Sequence, residues 1–249
     1  MLRSERLKLI IKEINLYNKV LSSDLGEKLS VSEDTIRRDL KELSEKGMIL
    51  KVHGGAMSKT FHSPFDGKNQ VYALAAKQQI AEKAIGLFRK NMLVLMEGGT
   101  TIMEIAKRVP GRLDATFFTP SPQVAITLSE KEDISVISIG GTLARNSNLH
   151  TGASVINELA GIKADLCVIG ANGFSLNEGL TDSDWEVVQV LKAMIRTAKK
   201  VAVVTIAEKL SSVQRMKICD IGEIDYLITE LDPESPFLSA FKGSELLII

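Results

Sequence analysis

Residues 31–43 read VSEDTIRRDLKEL and residues 45–56 read EKGMILKVHGGA, and the first quarter of the chain takes its architecture from them. Ile36, Leu40 and Leu43 recur at i, i+4 and i+7, one stripe of a helix, and must face a core. Ser32 stands where a helix cap belongs, with Glu33, Asp34 and Thr35 following in the first turn, where acidic groups suit the positive helix end. Gly47 stops the helix. Residues 48–57 (MILKVHGGAM) then predict a short hairpin around Gly54-Gly55. Upstream, Leu7, Ile10, Ile11 and Ile14 mark an earlier amphipathic helix. Ser22-Ser23-Asp24 offers cap chemistry for a short helix through Leu25, Lys28 and Leu29, and Ser30-Val31 makes a tight turn. Short helix, turn, capped helix and basic hairpin together predict a winged helix-turn-helix.

The outer face of the capped helix carries Arg38, Asp34 and Lys41, flanked by Thr35 and Arg37. Arginine can meet guanine edges or clamp phosphates, and threonine can meet a thymine methyl. A merely solvated face also accounts for such charges; the packaging around the helix favours DNA. Bulk charge does not decide the matter, because 31 Lys and Arg balance 31 Asp and Glu in 249 residues. Residues 1–56 hold 11 basic against 9 acidic side chains. The case rests on where the cations sit.

Beyond residue 57 the pattern changes. Residues 57–75 include a polar stretch with Pro64 and Gly67 and read as a linker, leaving 1–56 and 76–249 as the two domains. From Lys77 onward, apolar runs at 93–96, 115–118, 134–139, 166–169, 201–205 and 226–229 alternate with polar loops and helical patterns. Most runs are continuous, as strands buried on both faces read, so an α/β domain with a mostly parallel sheet is expected. Its ligands belong beyond the carboxyl ends of the strands. The terminal ELLII at 245–249 reads as a last strand or an oligomer contact.

Those strand ends carry the candidate chemistry. After the run 93–96 comes Glu97-Gly98-Gly99-Thr100-Thr101 and then a helix. Small residues, hydroxyls and a helix N-terminus make a phosphate cradle, without the lysine of a P-loop. A turn that needs glycine plus a capping threonine is the competing reading. Thr119-Pro120-Ser121, Gly140-Gly141-Thr142 and Gly170-Ala171-Asn172-Gly173 end other strands, and convergence of these loops on one crevice is expected. Trp185 suits core packing better than sugar stacking. Asp182, Asp184 and Glu186 form an acidic helix start that the helix dipole explains. His53, His62 and His150 are scattered, Cys167 and Cys219 form no CxxC pair, and neither a metal site nor a disulfide framework is expected. A reduced, cytoplasmic setting is the default, with no apolar run long enough to span a membrane.

Residues 31–43 and 45–56 resemble the DeoR family of winged helix-turn-helix regulators. The resemblance implies a double-stranded DNA operator met by Ser32, Thr35, Arg37, Arg38 and Lys41, with Lys51 and His53 on the wing. Arginine is frequent in the family where Lys51 stands; a phosphate contact survives that swap and a bidentate base contact does not. From Lys77 to Thr229 the chain resembles the DeoR-type sensor domain, similar in fold to ribose-5-phosphate isomerase and the CoA transferases. The motifs are Gly98–Thr101, Gly140-Gly141, Gly152, Ala164-Asp165 and Gly179-Leu180-Thr181, with Glu186 and Lys192 beyond. This implies a phosphorylated sugar effector. Its phosphate would lie on Gly98, Gly99, Thr100 and Thr101, with Thr119, Ser121, Gly140, Gly141, Gly152, Glu186 and Lys209 around the rest. Pro120 and Ile206 depart from the family pattern, which commonly has Thr-Asn-Ser at the first place and Asp at the second. The whole reads as a cytoplasmic, homo-oligomeric (dimer or tetramer) repressor of carbohydrate genes with no cofactor. The alternative is a sugar-phosphate isomerase with an attached DNA-binding module. It is disfavoured because the loop 170–173 lacks the carboxylates of the isomerase Asp-Gly-Ala-Asp loop.

Overall fold

The computed structural model describes residues 1–17, 19–58, 71–145 and 147–249, which form two compact units, 1–72 and 73–249. In the first unit α1 (Arg3–Tyr17), α2 (Ser22–Leu29) and α3 (Glu33–Glu45) join β1 (Lys19–Leu21), β2 (Leu50–Val52) and β3 (Gly55–Met57). Ile10 and Ile14 of α1, Leu25 and Leu29 of α2, and Ile36, Leu40 and Leu43 of α3 meet in one buried cluster. The helical stripes seen in sequence are therefore the faces that pack.

Two local details correct the sequence reading. Ser22 is the first helical residue of α2, Leu21 takes the cap position, and no side chain caps that helix. The sheet also has three strands, not two, because β1 pairs antiparallel with β3 on the side away from β2. This explains Gly55. A Cβ there would lie 1.9 Å from the Val20 carbonyl oxygen, so only glycine lets β1 close on the wing. Met57, expected in the linker, is buried in β3 opposite Lys19 and Leu50, and a helix that the sequence reading did not name begins at Leu74. Most of the stretch expected as linker, 59–70, lies outside the described residues, with His62, Pro64 and Gly67.

α3 ends as its sequence requires. Gly47 at φ +68° is the left-handed residue; its N–H reaches the Ser44 carbonyl while the Met48 N–H reaches that of Leu43. This pairing satisfies two otherwise orphaned helix carbonyls.

The second unit is built on a seven-stranded sheet in which every pairing is parallel. Its strands are β4 (Leu93–Met96), β5 (Ala115–Thr119), β6 (Ile134–Ser138), β9 (Leu166–Gly170), β12 (Val201–Val204), β14 (Tyr226–Ile228) and β15 (Leu247–Ile248), in the spatial order β15-β14-β12-β9-β4-β5-β6. The central strands β4, β9 and β12 are buried on both faces, matching their unbroken apolar runs, whereas the edge strand β6 is largely exposed. β15 lies within the ELLII terminus, for which a last strand is one of the two readings.

Helices α4 (Leu74–Ile85), α5 (Thr100–Arg108) and α6 (Pro122–Ser129) pack side by side, and α7 (Ala153–Ala160) packs on α8 (Trp185–Arg196). Leu95, Cys167, Ile169, Val201 and Val203 point into the cluster made with α7 and α8; their buried neighbours Val94, Met96, Val168 and Val204 alternate to the opposite face. Two small antiparallel sheets decorate this body: β7 (Thr142–Ala144) with β8 (Leu149–Thr151), and β10 (Gly173–Ser175), β11 (Gly179–Asp182) and β13 (Met216–Cys219). They are interruptions that periodicity did not announce.

From β4 the chain steps to β5 and β6, then returns to place β9 on the other side of β4. β4 and β9 thus bracket the point where strand order reverses, and the crevice outside their carboxyl ends is where an open α/β sheet takes ligands.

Candidate functional site

On the first unit, Arg37, Arg38, Lys41, Lys51 and His53 are all exposed. Ser32 works as the cap, its Oγ accepting from the Thr35 N–H at 3.3 Å and lying 2.9 Å from the Thr35 hydroxyl. The cations differ in availability. Arg37 is drawn back to Glu33 at 2.8 Å and Asp34 at 3.5 Å, and Lys41 leans toward Glu45 at 3.8 Å. Among the described residues Arg38 makes no ion pair. Beneath this face, Asp39 is 2 % exposed and takes both Nε (2.6 Å) and Nη2 (3.3 Å) of Arg6, while Arg3 bonds Glu42. A forked pair of this kind fixes the angle between α1 and α3, and so the angle at which α3 is presented. The sequence reading passed over Asp39 because its period places it among charged neighbours.

On the second unit, the loops after β4, β5, β6 and β8 are stitched together. The Thr119 hydroxyl donates to the Glu97 carbonyl at 3.4 Å and accepts from the Ser121 N–H at 3.1 Å. Ser121 caps α6 by accepting from the Val124 N–H at 3.4 Å. The Pro120 carbonyl accepts the His150 N–H at 2.8 Å, and His150 Nδ1 lies 3.0 Å from the Gly141 carbonyl. Gly98 sits so close to Ser121 that a Cβ would come within 3.1 Å of its hydroxyl. Thr119 and Ser121, 0 % and 2 % exposed, thus spend their hydroxyls on the wall of the crevice.

Gly99 and Gly152 take the cap positions of α5 and α7 with nearly the same backbone, φ +91° and +101°, and a Cβ on either would meet nothing within 4 Å. Glycine is required there by conformation, not by crowding. Neither helix has a side-chain cap, so each opens its first-turn N–H groups outward.

Charges gather where the sheet order reverses. Glu97, 9 % exposed, accepts the Gly170 N–H at 2.6 Å, tying the ends of β4 and β9. Lys209 donates to the Ala171 carbonyl at 3.0 Å and the Asn172 Oδ1 at 3.3 Å, and Asn172 in turn donates to Asp182 at 2.7 Å. Asp182 also accepts the N–H groups of Ser183 and Asp184. Burial pushes the Glu97 carboxyl up to about 8, with the nearby Asp182 adding to the rise. It pushes the Lys209 ammonium down to about 8, against the pull of Asp182 and Glu97. Lys77 on α4 is 7 % exposed and is brought down to about 7 by burial and by Lys209.

A model of the DeoR C terminal sensor domain matches residues 73–231, and one of the DeoR-like helix-turn-helix domain matches residues 6–61. The chain belongs to the DeoR family. Among curated relatives it is 32% identical over 244 residues to the HTH-type transcriptional regulator GolR of Listeria innocua, covering 97% of this chain and 96% of that one. It is also 32% identical over 253 residues to the HTH-type transcriptional repressor GlcR of Bacillus subtilis, covering 100% and 97%. A solved D-ribose-5-phosphate isomerase in complex with phospho-erythronic acid aligns over 54% of this chain and 52% of that one, with 18% identity and a TM-score of 0.40. The DeoR-family chain is therefore a DNA-binding transcription regulator with a sensor domain.

Within that DeoR-family frame, the residues expected around a ligand part into two groups. Gly98, Gly99, Thr100, Thr101, Thr119, Ser121, Gly140, Gly141 and Gly152 lie on loops joined by the contacts above, and Lys209 lies with Glu97 and Asn172. Glu186 is exposed on the first turn of α8, its N–H given to Asp184. Trp185, expected in the core, is 60% exposed as the first residue of α8, because the buried stripe of that helix begins at Val187. Ile206 is buried, and the next N–H, that of Ala207, is accepted by the Glu230 carboxylate at 2.9 Å. Glu97, Asp182 and Lys77 were not singled out for the crevice from sequence. Glu97 directly precedes the glycines and could have been found as an acid ending a buried strand; Lys77 carried no local sign. Among the described residues no His, Cys, Asp and Glu cluster could hold a metal, and no helix is long and apolar enough to cross a membrane.

Proposed function

We propose that this regulator is a cytoplasmic repressor of carbohydrate-metabolism genes, controlled by a phosphorylated sugar bound at the carboxyl ends of β4, β5 and β9. The observation that carries the reading is the Gly99 turn. It opens the N-terminus of α5 beyond the strand where sheet order reverses, with the buried ammonium groups of Lys77 and Lys209 in the same unit. An anion suits the helix N-terminus; hydroxyls suit the mixed carboxyl, amide and ammonium groups beside it. Gly98, Gly99, Thr100 and Thr101 take the phosphate. Gly140, Gly141, Gly152, Glu186 and Lys209 surround the sugar, with Thr119 and Ser121 shaping the wall. On the other unit Arg38 leads the operator contacts, supported by Thr35, Arg37 and Lys41 and by Lys51 and His53 on the wing, with Ser32 holding the helix start. A single winged domain offers few phosphate contacts, so the working form is a homo-oligomer on repeated half-sites. Repression is the sense supported by the relative named as a repressor, and the ligand relieves it.

A thermal-shift screen of pentose and hexose phosphates against the whole chain tests this, since a ligand raises the melting temperature by mass action. At least one sugar phosphate raises it and weakens operator binding. A panel that leaves both unchanged overturns the reading, and steady turnover of any member would replace it with the isomerase reading.

A further inference from the structure

Glu97 is the residue of the crevice whose bonding is left half complete. One carboxyl oxygen accepts the Gly170 N–H, and among the described residues the other accepts nothing. That second oxygen is not sealed in the core, because the fully buried side-chain polar atom left without a partner among those residues is the Ser147 hydroxyl. The side chain keeps 9 % of its surface exposed at the carboxyl end of β4, beside the end of β9 that it bonds. A carboxyl that served only to tie two strands together would gain nothing from keeping one oxygen there, and burying it costs free energy that some partner must offset.

The surroundings say what that partner is. Lys209 acts on Glu97 from the turn 207–209 and Asp182 from the end of β11, with Lys77 of α4 near Lys209. Both oxygens of Asp182 are already engaged, by two backbone N–H groups and the Asn172 amide, and Lys209 has given two of its three N–H bonds to Ala171 and Asn172. Glu97 therefore has an acceptor, or when protonated a donor, with no protein group to meet. A second anionic group is repelled there by Asp182 and by Glu97 itself once ionised. A hydroxyl, which can donate or accept, fits both states.

We propose that Glu97 is a specificity-determining residue of the effector site, its open carboxyl oxygen hydrogen-bonding a sugar hydroxyl of the ligand whose phosphate lies on the Gly98–Thr101 turn. The proposal rests on the sugar-phosphate reading above and adds to it the group that tells a sugar phosphate from phosphate alone.

Calorimetric titration of wild type, Glu97→Gln and Glu97→Ala with inorganic phosphate, ribose 5-phosphate and glucose 6-phosphate tests it. Wild type binds one of the two sugar phosphates more tightly than inorganic phosphate. Glu97→Ala weakens that sugar phosphate by about tenfold or more, the loss expected when a buried polar contact goes unmade. Glu97→Gln keeps an oxygen for Gly170 and offers an amide to the ligand, so it loses less, about threefold by the same arithmetic. Inorganic phosphate binds all three proteins alike. If the alanine variant does not fold, the ratio measured on the glutamine variant decides alone. Sugar-phosphate affinity unchanged by substitution overturns the proposal, as does an equal loss for inorganic phosphate, which marks a structural role. Wild type that binds inorganic phosphate but prefers neither sugar phosphate overturns it while leaving the anion cradle standing. Wild type that binds none of the three removes the sugar-phosphate reading itself.

Discussion

The two units place their working groups in opposite ways. On the winged unit the cations stand exposed on one helix and one hairpin, and those that are paired, Arg37 and Lys41, are paired with residues three or four positions away. In the sensor unit the working charges are buried, and Lys77, Glu97, Asp182 and Lys209 come from four separate elements spread over more than half the chain. Exposed charges on a rigid helix bind a polyanion by availability, so their energetics follow which of them is already paired. Buried charges at the ends of strands are costly until a ligand completes their bonding, which makes that unit a place where binding can change the state of the protein.

The sharpest break between the two is Thr100→Asp. A fixed carboxylate at the N-terminus of α5 opposes a phosphate there, so sugar-phosphate binding measured by calorimetry disappears, while operator affinity of the free protein stays at the wild-type level. Arg38→Ala is the reverse experiment. It costs about 1–3 kcal/mol of operator affinity if Arg38 meets a base edge, read by gel shift, and leaves the sensor unit's ligand affinity alone. Arg37→Ala costs less than Arg38→Ala, because Glu33 and Asp34 already hold part of the Arg37 charge.

A separate prediction concerns pH and the stability of the sensor unit. The folded Glu97 carboxyl sits at about 8 against an ordinary 4.5, so its contribution is whole below the ordinary value and is lost as pH rises through about 8. The titratable groups acting on it are Asp182, Lys209 and Cys167, and they are common to wild type and variant. Glu97→Gln carries no such proton. Its melting temperature therefore gains on wild type between about pH 5 and about pH 8. A gap that stays constant across that range would show that Glu97 is ionised throughout.

Legibility divides along the same line. Ile36, Leu40 and Leu43, the Ser32 cap and Gly47 are local signals, and the winged unit could be read from them nearly element by element. β1 escaped because three residues between helices carry too little pattern to reveal pairing with β3. In the sensor unit the unbroken apolar runs gave away the six longer strands of the parallel sheet, and the glycine-rich stretches marked the loops at their ends. Its charges escaped because burial and strand order bring them together, and neither is written in the spacing of Lys77, Asp182 or Lys209. Trp185 misled for a related reason: hydrophobic size is visible in sequence, but the rotation of α8 that leaves it outside is decided by Val187, Val188 and Leu191 packing inward.

Under the proposed function, a ligand at the strand ends of one unit changes what the other unit does on DNA. The direct measurement is titration of ribose 5-phosphate and glucose 6-phosphate against an operator complex, using a duplex selected from random sequence and wild type beside Thr100→Asp. Coupling requires different ligand affinity for the bound and free forms, so one sugar phosphate releases wild type from the duplex and operator in turn weakens that ligand by the same factor. The Thr100→Asp protein binds the duplex as tightly and does not respond. A variant that responds like wild type, or a wild type whose operator affinity is indifferent to both sugar phosphates, contradicts the claim.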